Sequence, residues 1–131
     1  GDWCWDMHPF QITDETKQMV MKNICYQLNH FIGCSVFENV IFCWVMHEQN
    51  IIDDIRSRLK LDDCHVKSIS LICNENALIE RLQKDVSAGL RAPDIIERSV
   101  GRISCYQTLN TLKVDVSEMS PIEVVDFISK L

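Results

Sequence analysis

The segment Asn39-Val-Ile-Phe-Cys-Trp-Val-Met46 decides the predicted fold. Seven of its eight residues are apolar, and neither half shows an amphipathic alternation. Such a run is typical of a strand that is buried on both faces, as in a parallel sheet. The polar residues His47 and Glu48 follow at once and open an amphipathic helix. Because ligands of open parallel α/β sheets bind at the carboxyl ends of the strands, this turn is a predicted binding position.

Composition places the chain among ordinary globular proteins. It has 131 residues, of which 47% are apolar and 24% are charged, and this length predicts one domain. The formal net charge of -6 argues against binding to nucleic acid polymers or acidic membranes. No apolar run approaches the roughly 20 residues of a membrane span, and the first residues do not form a signal peptide.

The seven cysteines indicate a reduced, cytoplasmic protein, because their number is odd and no Cys-x-x-Cys pair occurs. The pairs Cys4 with His8 and Cys64 with His65 could be zinc ligands. Neither has a matching second pair at ligand spacing, so no metal site is predicted.

Helices and strands alternate along the rest of the chain. Side-chain periodicity predicts helices at about 14–32, 49–60, 75–89, 94–106 and 121–131, strands at 66–73 and 112–116, and an extended segment at 2–6. Thr13, Asn74 and Ser120 are predicted helix N-caps, and Gly33 and Gly89 are predicted to end helices, Gly33 in the left-handed conformation. This order predicts a three-layer α/β fold with a parallel sheet and right-handed crossovers.

Three stretches of the second half form a further pattern: Glu80-Arg81-Leu82-Gln83-Lys84, Gly89-Leu90-Arg91-Ala92-Pro93 and Ile96-Glu97-Arg98-Ser99-Val100-Gly101-Arg102. Together with the strands around them and the closing helix, they resemble the carboxyl half of small P-loop kinases of the shikimate, gluconate and nucleoside-monophosphate kinase type. The start Gly1-Asp2-Trp3-Cys4-Trp5-Asp6 and the turn at 44–49 also resemble bacterial nucleotide-kinase-like proteins described only as ATPases. The resemblance implies one kinase-like domain over 1–131, with a lid-like region at about 89–104.

The resemblance also implies a P-loop, Gly-x-x-x-x-Gly-Lys-Ser/Thr, whose backbone N–H groups cradle phosphates. None of the four glycines is followed by lysine. We therefore expect that a leading βαβ unit of roughly 30 or more residues is absent from this chain. In the resembled fold its central strand lies between the strand at Val40 and the strand at Ser68, so its loss leaves an apolar slot. Closure of the two strands on each other, or an oligomer that fills the slot, are the alternatives.

Four arginines are the candidate phosphate ligands. The resemblance implies that Arg91, Arg98 and Arg102 neutralise the transferred phosphoryl group and that Arg81 is a further nucleotide contact. Like charges four residues apart on a helix cost about 0.2 to 0.5 kcal/mol, which an anion between Arg98 and Arg102 would offset. The alternatives are ion pairs of Arg98 with Asp94 and of Arg81 with Asp85, and a solvated Arg102.

Acidic residues near the start are the candidates for acceptor chemistry. Asp2 and Asp6 fall where the resembled kinases have an acid that orients or deprotonates the acceptor hydroxyl, and Asp2 is the preferred catalytic residue. A solvated chain end is the alternative. His47 and Glu48 are predicted to bind the acceptor or a magnesium-linked water.

The resulting hypothesis is the carboxyl part of an ATP-dependent phosphotransferase that acts on a small metabolite or nucleotide. ATP and Mg²⁺ are the implied cofactors of the full-length protein, and the chain alone is expected to be inactive. The alternative hypothesis is a non-catalytic relative that binds a nucleotide or a partner without a P-loop. The sequence does not name the acceptor or the oligomeric state.

Overall fold

The computed structural model describes all 131 residues and divides into two compact units, Gly1–Val66 and Lys67–Leu131. The elements are a 3-10 helix Asp2–Trp5, α1 Asp14–Ile32, α2 Gln49–Ser57, β1 Ile69–Ile72, α3 Glu75–Ser87, α4 Ile95–Val100, α5 Ile103–Gln107, β2 Leu112–Asp115 and α6 Pro121–Ile128. The predicted mixed α/β class with parallel strands is therefore confirmed. None of the helices has both the length and the apolar composition that a membrane crossing requires.

The first unit is built on α1. The helix begins as predicted, because Thr13 and Thr16 form a reciprocal capping box: each side-chain oxygen accepts the other residue's backbone N–H, at 3.1 and 2.8 Å. One face of α1 is buried together with Ile55 of α2, through the side chains of Val20, Ile24, Cys25 and Leu28. These residues recur at helical spacing, which is why the periodicity predicted the helix correctly.

The predicted strand at Asn39–Met46 is wrong. Exposed and partly buried side chains alternate over residues 41–46, as they do in an extended chain, but the segment pairs with no strand. Phe42, Trp44 and Met46 pack against the core, whereas Ile41 is 91% exposed. A strand needs a neighbour for its backbone N–H and C=O groups, and here the Cys43 carbonyl accepts one hydrogen bond, from the Gly1 nitrogen at 3.2 Å, with no strand alongside. Its side chains are buried on one face rather than on both.

Two local predictions in this unit also fail. Residues 2–5 form a 3-10 helix instead of an extended segment, because the backbone N–H groups of Cys4 and Asp6 bond to carbonyls three residues earlier. Gly33 ends α1 at φ -77°, not in the left-handed conformation. Its N–H bonds to the Asn29 carbonyl at 3.0 Å, so the helical geometry simply continues through it.

The second unit contains the sheet. Strands β1 and β2 are parallel, with Ile69 opposite Leu112 and Ile72 opposite Asp115, and helices α3, α4 and α5 connect them. Each strand has one neighbour, so one edge of each is unpaired. The predicted N-caps are confirmed: Asn74 accepts from Ala77 N–H, and Ser120 forms a capping box with Glu123. Gly89 follows α3 at φ +71°, a left-handed conformation that glycine adopts without strain.

The predicted helix at 94–106 is divided into two. Helix α4 ends at Val100 and α5 begins at Ile103, with a turn at Gly101 and Arg102 between them. Glycine within a helix costs about 1 kcal/mol relative to alanine, which favours a break there. Arg98 therefore lies inside α4 and Arg102 lies in the turn, so the two do not share the single regular helix that was predicted.

Candidate functional site

Two of the four candidate arginines form ion pairs. Arg91 Nε lies 3.1 Å from Asp85 Oδ2, and Arg98 Nε lies 3.0 Å from Asp94 Oδ2. All four side chains are between 41% and 62% exposed. The alternative of an Arg98–Asp94 pair is thus what the structure contains. Because the pairs are half-exposed, they stabilise the fold only weakly and leave the guanidinium groups accessible to a solute.

Arg102 differs from the other three because its side chain makes no hydrogen bond or ion pair in the chain. It is half-buried and lies close enough to Tyr106 to affect the titration of that phenol. Burial raises the pKa of Tyr106, and the positive charge of Arg102 opposes that rise. A partly buried guanidinium without a counter-ion retains all five N–H donors for an anionic ligand.

Arg81 does not pair with Asp85 as one alternative predicted. One of its terminal nitrogens, Nη2, donates to the carbonyls of Val116, Ser117 and Met119 at 2.6, 3.1 and 3.4 Å. Asp85 pairs with Arg91 instead. Arg81 therefore holds the loop that follows β2, and this use occupies a nitrogen that a nucleotide would otherwise contact.

The carboxyl ends of the two parallel strands meet in a hydrogen-bonded network that the sequence analysis missed. The backbone N–H of Asn74, just after β1, donates to Ser117 Oγ at 2.9 Å, and Ser117 Oγ donates to Asp115 Oδ1 at 2.6 Å. The hydroxyl and then the backbone N–H of Ser117 hold the pKa of Asp115 below its usual value. The available signal was positional: Asn74 and Ser117 each lie two residues after the end of a strand, at the edge where ligands of parallel sheets bind.

The acceptor-site candidates lie in the first unit. Asp2 and Asp6 are exposed at the two ends of the 3-10 helix region, and neither carboxylate has a hydrogen-bond or ion-pair partner. A solvated carboxylate can accept a proton or a hydrogen bond from a ligand hydroxyl. The structure thus keeps both candidates accessible without orienting either.

His47 and Glu48 follow the extended segment, as predicted, and Glu48 is the N-cap residue of α2. Their side chains approach to 3.5 Å between His47 Nε2 and Glu48 Oε1. The other ring nitrogen, His47 Nδ1, is buried and has no hydrogen-bond partner. Of the two ring nitrogens, Nε2 therefore has a polar neighbour that can orient the imidazole, and Nδ1 has none.

A pocket of about 140 Å³ opens beside the 3-10 helix. Its lining includes Ile24 and Leu28 of α1, together with Trp3 and Ile41. Most of the lining is apolar, with Gln27 as its polar side chain. The pocket offers a ligand a mostly apolar contact area, and Asp2 directly precedes Trp3 of its lining.

No three His, Cys, Asp or Glu side chains converge as a metal site would require. Comparisons of the chain with protein-family models, curated proteins and solved structures found no match.

Proposed function

We propose that this chain is the carboxyl part of an ATP-dependent phosphotransferase of the small P-loop kinase type, which acts on a small metabolite or a nucleotide. The observation that carries the proposal is the parallel pairing of β1 with β2 across a helical crossover that bears Arg81, Arg91, Arg98 and Arg102. This is the order of strand, arginine-bearing helices and strand on which the resemblance rests. Phosphoryl transfer depends mainly on positioning and on neutralising charge, and arginines serve both purposes.

Unpaired edges and exposed apolar side chains also support the proposal. β1 has one free edge, and the segment 39–46 has no strand partner. Val36, Phe37, Ile41 and Val45 are between 50% and 91% exposed. Additional strands of the same protein would pair with such edges and cover such side chains within each unit.

Each group in the chain then has a defined role. ATP, when bound, supplies the phosphoryl group, and the glycine-rich loop that cradles its phosphates belongs to residues outside these 131. Arg102 binds phosphate oxygens through its unpaired guanidinium, and Arg91 and Arg98 contribute through their terminal nitrogens. In the first unit, the exposed carboxylate of Asp2 can accept a hydrogen bond from an acceptor hydroxyl.

The test uses the whole protein purified from its native source. Its intact mass is compared with 15.2 kDa, and ADP release from ATP and Mg²⁺ is measured across a panel of hydroxyl and phosphate acceptors. We expect a larger mass, acceptor-dependent ADP release, and a loss of that release in Arg102→Ala. Arg58→Ala is the matched control, since Arg58 forms an ion pair with Asp54 in the first unit.

The outcomes separate the two functional hypotheses. A mass of 15.2 kDa with no ADP release would reject the phosphotransferase hypothesis and favour a non-catalytic binding protein. Measurable turnover by the 131-residue chain itself would contradict the requirement for a separate P-loop.

A further inference from the structure

The ion pairs of Arg91 and Arg98 use only one nitrogen of each guanidinium. In both, the contact runs from Nε to a single carboxylate oxygen, at 3.1 Å to Asp85 and 3.0 Å to Asp94. The terminal nitrogens of these two arginines make no hydrogen bond within the chain. Arg91 Nε thus donates a hydrogen bond to Asp85 and Arg98 Nε forms an ion pair with Asp94, while the outer edge of each guanidinium makes no hydrogen bond within the chain.

Arg81 provides the opposite arrangement in the same unit. Its terminal nitrogen Nη2 is occupied by three backbone carbonyls, so its outer edge is used internally. A guanidinium binds a tetrahedral oxyanion best through two parallel N–H bonds from one edge. Arg91 and Arg98 keep such an edge available, and Arg81 does not.

We infer that Asp85 and Asp94 are positioning residues, which fix the guanidinium planes of Arg91 and Arg98 through Nε and leave the terminal nitrogens to bind a phosphate-type anion. This inference rests on the proposed function and identifies how its phosphate-binding arginines are oriented. A long side chain that is already held loses less rotational freedom when it binds a ligand. The contrary possibility is that the carboxylates compete with the anion for the arginines.

A titration of inorganic tripolyphosphate into the 131-residue chain distinguishes positioning of the arginines by the carboxylates from competition between the carboxylates and the anion. The ¹H–¹⁵N signals of the arginine side chains report Nε and the terminal nitrogens separately. We expect the terminal signals of Arg91 and Arg98 to shift on binding, while the Nε signal of Arg91 keeps its hydrogen-bonded position and that of Arg98 keeps its ion-paired position. Loss of the bonded Nε signals at saturation, or no binding of tripolyphosphate, would overturn the inference.

Substitutions provide the second readout. Asp85→Asn and Asp94→Asn should each weaken tripolyphosphate binding by about two- to fivefold, the range that a half-exposed charge pair contributes. Asp94→Glu should retain binding, because glutamate still reaches Nε across one helical turn. Asp54→Asn is the matched control: Asp54 pairs with Arg58 Nε at 2.8 Å in the first unit, and its loss should change nothing. Tighter binding by Asp94→Asn would show competition and overturn the positioning role.

ATP turnover by the whole protein separates this inference from the proposed function. Turnover that Arg102→Ala reduces but Asp85→Asn and Asp94→Asn leave unchanged would overturn the positioning role and leave the phosphotransferase intact. Weaker tripolyphosphate binding in both Asn variants, without any ATP turnover, would support the anion site and reject the phosphotransferase.

Discussion

The hydroxyl of Ser117 donates to Asp115 Oδ1 over 2.6 Å, and the Ser117 backbone N–H donates to the same oxygen over 2.9 Å. Both bonds favour the ionised carboxylate and lower the pKa of Asp115, the hydroxyl more than the N–H. A carboxyl pKa that is lower in the folded state stabilises the fold above the unfolded pKa, near 3.8, and this stability is lost as pH falls through the folded value. The contribution of Asp115 should therefore begin to fall as the pH approaches 3.8 and be lost below the folded pKa.

Ser117→Ala should raise the pKa of Asp115, because it removes the larger of the two causes. The measurement is an NMR titration of the Asp115 side-chain carboxyl carbon in the 131-residue chain. Ser129→Ala is a suitable control, since the Ser129 hydroxyl donates to a backbone carbonyl, that of Asp126. An unchanged Asp115 titration in Ser117→Ala would contradict the assignment.

Arg81→Met should lower the free energy of unfolding by about 1.5 to 3 kcal/mol, the range for hydrogen bonds that involve a charged group. The substitution keeps most of the aliphatic stem and removes the donor to the carbonyls of Val116, Ser117 and Met119. Urea unfolding measures the effect. Lys84→Met, which removes an exposed pair with Glu80 on the same helix, should change stability much less, because solvent screens that pair. Equal effects of the two substitutions would mean that Arg81 does not hold the loop.

Ile24→Ala and Ile41→Ala test which apolar residues form the core of the first unit. Ile24 is 2% exposed, so its truncation should cost about 2 to 5 kcal/mol, whereas Ile41 is 91% exposed and its truncation should cost less than about 0.5 kcal/mol. Urea unfolding of the two variants gives the comparison. A large loss of unfolding free energy in Ile41→Ala would instead support the predicted strand that is buried on both faces.

The contrast between these two isoleucines shows what the sequence could predict. α1 is specified locally, by its cap at Thr13 and by apolar residues that recur at helical spacing, so its prediction was correct. The segment 39–46 has the composition of a buried strand, but pairing depends on a neighbour that its own residues do not encode. The partners of the arginines depend likewise on which carboxylates and carbonyls the fold brings near them. Arg98 pairs with Asp94, one helical turn away, whereas Arg81 donates to backbone carbonyls that lie 35 to 38 residues further along the chain.

Arg102→Ala should raise the pKa of Tyr106 further, because the substitution removes the positive charge that opposes the effect of burial. The chain has two tyrosines, so an absorbance titration in a Tyr26→Phe background reports Tyr106 alone. Tripolyphosphate bound at Arg102 would neutralise the same charge and should raise the Tyr106 pKa in the same direction. In the Arg102→Ala variant the anion should have no such effect, since its binding partner is gone. If tripolyphosphate moves the Tyr106 titration equally with and without Arg102, the anion binds elsewhere and Arg102 is not a phosphate ligand.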